Sequence, residues 1–417
     1  MSTEAMRSET TRINTPATNG DRLWADIIST ARFGAADKGG VTRLTLTEED
    51  RQVRDWFVSE CRTLGCTVEV DAIGNIFATY AGEDMSLPAI AVGSHLDTQP
   101  QGGRFDGILG VLAGVEILRT LRESATRLRH PLVVVNWTNE EGSRFSPAML
   151  GSGVFAGALS IDDARARSDR EGVTVGSALD AIGYRGEAKV EPASFAAYVE
   201  LHIEQGPLLE ASATEVGVVT GIQGLRWFDV VITGTEAHAG STPMAQRDDA
   251  LVAAAEVVLA VRDIARQNPP GVGTVGFVEV GPNSRNVVPG SVRLQIDMRH
   301  PSETGLNQMQ AALEDAVRKA GPGVALNHIW SKAPVVFDPA IVNAVRASTE
   351  ALGYSATDMV SGAGHDAAHM ATITPTAMIF VPSKDGLSHN EAEYTAPEEC
   401  ARGAEVLFQT ILEIDRR

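Results

Sequence analysis

Apolar positions between Arg22 and Phe33 recur at helical spacing, and Thr47 to Leu64 repeats the pattern behind a Thr-Glu-Glu-Asp opening that suits a helix start. Downstream the period changes. Short apolar runs at 76–80, 89–93, 132–138, 197–203 and 376–381 read as buried strands, separated by helical stretches such as 107–122 and by the helix and connector of 156–184. Strands alternating with helices imply an α/β fold, a mostly parallel sheet with helices on both faces. The middle of the chain has another character. There 216–233 reads as paired strands around Gly221-Ile-Gln-Gly224, 248–267 as an Ala/Val-rich amphipathic helix, 273–280 and 291–299 as two more strands, and 307–320 as a helix. Two strands, a helix, two strands and a helix make an α+β unit of about 110 residues, a size at which domains stand alone. The pattern predicts a disordered leader over 1–20, a sheet domain divided between 21–216 and 334–417, and an inserted lid unit at 217–333, with pivots near Gly217–Gly221 and Ser331–Pro334.

At 417 residues the chain exceeds what a single core usually serves, which favours this division. Its 35 basic against 54 acidic residues leave a net charge of −19, which argues against a nucleic-acid or anionic-membrane partner. Three cysteines, Cys61, Cys66 and Cys400, have no metal-finger spacing and point to free thiols in a reducing, cytoplasmic setting. Met1–Gly20 has no apolar core of the kind a signal peptide needs, and no run approaches the roughly 18 apolar residues of a membrane span.

Six residues carry the chemistry: His95, Asp106, Glu140, Glu141, His202 and His389. In Gly93-Ser-His-Leu-Asp97 positions i and i+2 share a face, so Asp97 can hold the His95 imidazole in a metal-ligating tautomer. Asp106 follows a Gly-rich turn and precedes an apolar helix, where a helix N-cap is the plain alternative. Glu140 and Glu141 end an apolar strand; adjacent carboxylates repel, so they imply either a solvated turn or a compensating cation. In the functional reading one Glu binds metal while the other takes a proton from the attacking water. His202 and His389 taken singly read as structural histidines. Convergence decides, because separate apolar runs each deliver His or Glu at or beyond their C-terminal ends, the edge where open α/β sheets bind ligands. Gly271-Val-Gly-Thr-Val-Gly276 satisfies a dinucleotide pattern but precedes a strand, so it reads as a strand entry.

In this order, Gly93-Ser-His-Leu-Asp-Thr, Gly103-Arg-Phe-Asp-Gly, Asn139-Glu-Glu-Gly-Ser-Arg-Phe, Glu200-Leu-His-Ile-Glu-Gln-Gly-Pro, Gly240-Ser-Thr-Pro-Met, Asn286-Val-Val-Pro-Gly, Ser361-Gly-Ala-Gly-His-Asp-Ala and Ser388-His-Asn resemble the hydantoinase/carbamoylase branch of the M20 metallopeptidase family. The resemblance spans nearly everything after the leader. It implies two divalent ions per subunit, bridged by Asp106, with His95 and His202 completing one site, Glu141 and His389 the other, and Glu140 as general base. Zinc suits such donors, and manganese, cobalt or nickel are accepted. It also implies a homodimer in which His238 reaches the partner's active site to stabilise an oxyanion, although Glu236-Ala237 replaces the Ala-Asn common before this histidine. Asn286 and Arg299 match substrate-carboxylate binders, with Gln205, Gly364 and His365 as further contacts. The implied substrate is a small ureido carboxylate, first an N-carbamoyl-L-amino acid, with allantoate or β-ureidopropionate as alternatives. A non-catalytic relative would have lost part of this set, and all six positions keep it.

Overall fold

Residues 16–417 are described by a computed structural model. Most of the expected leader lies outside the described residues, but its last part is held in place. Thr18 donates to Glu405 through amide and hydroxyl, at 2.8 Å each, and the Asn19 side chain caps the helix Gly20–Thr30. Side-chain caps also start the helices Glu48–Thr63 (Thr47), Ala250–Gln267 (Asp249) and Glu303–Ala320 (Ser302), satisfying amides that have no partner in the first turn. Among the described residues no helix is long and apolar enough to cross a membrane.

The strands β1 (Thr67–Val70), β2 (Ile76–Tyr80), β3 (Ala89–His95), β4 (Leu132–Trp137), β5 (Phe195–Ile203) and β6 (Val216–Ile222) come first. Then follow β7 (Gly224–Thr233), β8 (Ala237–His238), β9 (Val272–Gly281), β10 (Val287–Val288), β11 (Ser291–His300) and β12 (Val324–Lys332). The chain finishes with β13 (Val335–Val336), β14 (Ala356–Ser361) and β15 (Thr376–Val381). The large sheet runs β1-β2-β4-β3-β5-β15-β6-β13, with β14 beside β6. Its centre, β4-β3-β5-β15, is parallel, and antiparallel pairs flank it. Every residue of β3, β4 and β15 is buried, as expected of strands covered on both faces. On β5, Leu201 packs under Gly403 of the helix Pro397–Asp415, while Glu200 accepts the amide of Ala367 in the helix Ala367–Met370. Successive side chains point to opposite faces, so these two helices cover different sides.

The inserted unit is a wholly antiparallel sheet, β12-β7-β11-β9, with the helices 250–267 and 303–320 packed on one face. It has a core of its own, including Phe228, Val230, Ile232, Val257, Leu294, Ile296 and Leu313. Its order is strand, helix, two strands, helix, strand, which corrects the expected one. The apolar stretch 216–233 is not a hairpin: β6 belongs to the large sheet and β7 to the small one, with Gln223 between them. Gly221-Ile-Gln-Gly224 therefore marks a crossing between sheets, and the missing fourth strand is β12. Both strands are apolar and neither names its partner, so local pattern could not separate them. The first pivot expected at Gly217–Gly221 falls inside β6, and the crossings lie at Gln223 and Ala333–Pro334. Gly271–Gly276 forms the entry and first half of β9, with no helix directly after it.

Candidate metal centre

Parallel strands end at a common edge, and there the chemistry collects. His95 closes β3, His202 lies one residue from the end of β5, Glu140 and Glu141 follow β4, and His389 follows β15. Asp106 sits at their centre. Its Oδ1 lies 3.5 Å from His95 Nε2 and 3.2 Å from His202 Nε2, while its Oδ2 lies 3.5 Å from His389 Nε2. His389 Nε2 in turn lies 3.4 Å from Glu141 Oε2, so each Asp106 oxygen faces its own group of donors. In each of the groups His95–Asp106–His202 and Asp106–Glu141–His389 the candidate ligand atoms fall within 4.8 Å of one another. In a third group, Glu200–His202–His365, the members other than His202 already have hydrogen-bond partners. Glu200 accepts from Ser94, Tyr198 and the Ala367 amide, and His365 Nε2 is 2.9 Å from the Ser361 hydroxyl.

Backbone groups set the tautomers. His95 Nδ1 lies 2.8 Å from the carbonyl oxygen of Asp97, and His202 Nδ1 lies 2.9 Å from that of Ile203. A carbonyl only accepts, so both Nδ1 atoms carry a proton and both Nε2 atoms face Asp106. The Gly107 amide, which can only donate, points at His202 Nε2 from 3.2 Å. The expected Asp97 carboxylate contact is corrected: that carboxylate stands 3.7 Å from His95 Nδ1 and instead accepts the amides of Glu140 and Glu141, at 3.3 Å each. Asp97 thus orients His95 through its carbonyl and the Glu pair through its side chain.

The N-cap alternative for Asp106 fails, since Gly107 occupies that position without a side-chain cap. Asp106 Oδ2 accepts from Gln205 Nε2 at 2.8 Å and Ser388 Oγ at 3.0 Å. Gly107 is required at φ +67°, because a Cβ there would meet the His95 ring at 2.3 Å. Asn139, Met149, Gln205 and His389 also adopt positive φ, between 53° and 58°, a strain tolerated where function orients side chains.

Burial pushes the Glu140 carboxyl well above the usual range; His95 opposes the shift, and Asp366, Glu141 and Asp97 add to it. Glu141 is raised the same way, by burial and by Asp106. Asp106 behaves oppositely: burial works against its charge, but hydrogen bonds with His202 and His95 outweigh that and hold it well below the usual range. So many buried carboxylates, with imidazole Nε2 atoms turned toward them, form a donor set that fits divalent cations.

A cavity of about 290 Å³ opens beside this cluster, walled by both domains. Of the expected substrate contacts, Gln205, Arg299, Gly364 and His365 line it. His238 and Asn286 do not. His238 pairs with Val287 on the small β8–β10 ladder, Asn286 immediately precedes that strand, and both are exposed. His238 Nδ1 accepts the amides of Gly240 and Ser241 at 3.0 and 3.2 Å, so its Nε2 faces outward. Arg299 is less free than expected: Nε and Nη2 clasp Asp297 at 2.9 and 3.0 Å, and Nη1 donates to the Gly362 carbonyl at 2.9 Å.

Sequence reasoning missed Ser388, Glu393 and Lys332. Glu393 accepts the amides of Phe105 and Asp106 at 3.1 Å each and lies 2.9 Å from the Ser388 hydroxyl, and burial raises its pKa to about 7. It holds the Asp106 loop from 288 residues away, a separation no local signal bridges.

The model of peptidase family M20/M25/M40 matches residues 91–413. An N-carbamoyl-L-amino-acid amidohydrolase of Rhizobium meliloti is 47% identical over 400 residues, which cover 95% of this chain and 96% of that protein. A ureidoglycolate hydrolase of Oryza sativa subsp. japonica is 34% identical over 404 residues, 93% of this chain and 83% of that protein. Among solved structures, an amidase of the hydantoinase/carbamoylase family from Burkholderia multivorans has a TM-score of 0.94 at 48% identity, covering 96% of this chain and 99% of the other.

Proposed function

Since the chain belongs to peptidase family M20/M25/M40, we propose that it is a metal-dependent amidohydrolase that cleaves an N-carbamoyl-L-amino acid to the amino acid, ammonia and carbon dioxide. One observation carries the reading: Asp106 turns one oxygen toward His95 and His202 and the other toward His389 beside Glu141, with Glu140 Oε2 3.5 Å from His95 Nε2. His95, His202 and Asp106 would hold one divalent cation, and Asp106, Glu141 and His389 a second. When bound, such cations supply Lewis acidity toward the ureido carbonyl and acidify the attacking water.

Glu140 takes the proton of that water and returns it to the departing nitrogen. The bond that breaks joins the ureido carbon to the amino-acid nitrogen; the carbamic acid released falls apart to ammonia and carbon dioxide. Arg299 and Gln205 orient the substrate from the cavity wall, Arg299 being suited to a carboxylate by its planar fork. Gly364 and His365 complete that wall, and Asp97 is a positioning residue. His238, exposed with Nε2 outward, serves a second copy of the chain: in a homodimer it stabilises the oxyanion of the partner's substrate, with Asn286 beside it. The three cysteines, free and buried, support a reducing, cytoplasmic setting.

The test is protein stripped of metal, reloaded separately with zinc, manganese, cobalt or nickel, and offered N-carbamoyl-L-amino acids, allantoate and β-ureidopropionate while ammonia is measured. N-carbamoyl-L-amino acids should be turned over fastest. A clear preference for allantoate or β-ureidopropionate would replace the substrate and leave the chemistry; no hydrolysis with any metal would end the proposal.

A further inference from the structure

The free face of the inserted sheet roofs the cavity, and its strand register places three side chains in one row. Lys332 of β12 pairs with Leu225 of β7, and Leu225 pairs with Arg299 of β11. Residues paired across neighbouring strands point to the same face, and strands lie ~5 Å apart, so the Lys332 and Arg299 backbones stand ~10 Å from each other with a leucine between. All three line the cavity. Trp330, Ala148 and Met149 make the wall next to Lys332 largely apolar.

Lys332 and Arg299 differ in what they have to hold. Arg299 is clasped by Asp297. The Lys332 ammonium touches the Met149 sulfur at 4.0 Å and makes no ion pair among the described residues. Burial lowers its pKa, while Glu140 and Asp366 act in the opposite sense. An ammonium brought into a cavity without a direct ion-pair partner loses hydration that the more distant carboxylates only partly offset, and an anion placed against it restores the rest.

We propose that Lys332 determines side-chain specificity, binding a second anionic group, so that the preferred substrates are N-carbamoyl amino acids whose side chain ends in a carboxylate. The inference rests on the ureido reading above and narrows it. The α-carboxylate lies at the Arg299 end of the row, the aliphatic part of the side chain crosses Leu225, and the distal carboxylate meets Lys332. Substrates with a neutral or apolar side chain leave the ammonium unpaired and bind less well.

Matched pairs test this: N-carbamoyl-L-glutamate against N-carbamoyl-L-glutamine, and N-carbamoyl-L-aspartate against N-carbamoyl-L-asparagine, with the wild type, Lys332→Met and Lys332→Arg loaded with the same metal. The acid member of at least one pair should be favoured about tenfold or more in kcat/KM, the worth of one charge-assisted hydrogen bond. Lys332→Met should erase that preference through KM and leave the amide members within about twofold, while Lys332→Arg keeps part of it. A wild type that favours the amides, or a Lys332→Met variant that loses equally on both members, overturns the inference; the latter would mean that Lys332 serves the α-carboxylate or the fold. Calorimetric titration of N-carbamoyl-L-glutamate and N-carbamoyl-L-glutamine into Glu140→Gln protein, with and without Lys332→Met, reads the same preference without turnover. If no ureido compound is hydrolysed the functional reading falls, and the titration alone still decides whether Lys332 selects an anion.

Discussion

Asp106 and Glu140 are both buried acids of one cluster, yet removing each should leave a different residue of function. Asp106 faces both donor groups, so Asp106→Ala should abolish binding of both cations together, whereas His389→Ala should weaken the site it shares with Glu141 and spare the one at His95 and His202. Glu140→Gln should keep its metal content and lose turnover by about 10²–10⁴-fold, the range for a positioned general base. Elemental analysis beside ammonia release separates these outcomes; a Glu140→Gln enzyme with near-normal turnover would remove it from the role of base. At this scale much was legible, because imidazoles and carboxylates at strand ends advertise themselves. Less so their supports: the carbonyls of Asp97 and Ile203 that set the tautomers have no side-chain signature, and Glu393 reads as one more acid in an acidic loop.

The helix Glu48–Thr63 illustrates what an element contributes beyond its own stability. Asp50 and Arg54, one turn apart and fully buried, pair at 2.8 Å, and Arg54 extends to the Gly74 carbonyl at 2.7 Å and Thr138 Oγ1 at 3.3 Å. Thr138 opens the loop that carries Glu140 and Glu141, so this helix braces that loop. Arg54→Met should cost about 3–5 kcal/mol by stranding a buried Asp50, and the double variant Asp50→Leu, Arg54→Met should recover much of the loss, as isosteric apolar replacement of buried pairs often does. Denaturant unfolding measures both; a single variant as stable as the wild type would show the pair to be incidental. The helix itself was plain from its Thr47 start and its period. Its buried ion pair was not, since Asp50 and Arg54 at i, i+4 look the same on a solvated face.

At the scale of the whole molecule the two sheets meet at the cavity, each supplying one wall, while His238 stands on the inserted unit away from it. If that histidine serves a second copy, mixing inactive Glu140→Gln and His238→Ala proteins should restore a fraction of the activity, because exchanged dimers contain one site with both groups intact. No recovery, with exchange verified by mass, would place His238 outside catalysis. The sequence by itself determined the α/β class and the sheet edge where histidines and carboxylates gather, since each depends on residue chemistry and on a period read over a few neighbours. Only the tertiary structure decided which strand pairs with which: that β6 and β7 part company at Gln223, that each oxygen of Asp106 faces a different group, and that Lys332, Leu225 and Arg299 form one row. Register and packing between segments as many as 282 residues apart set those relations, and nothing local encodes a partner.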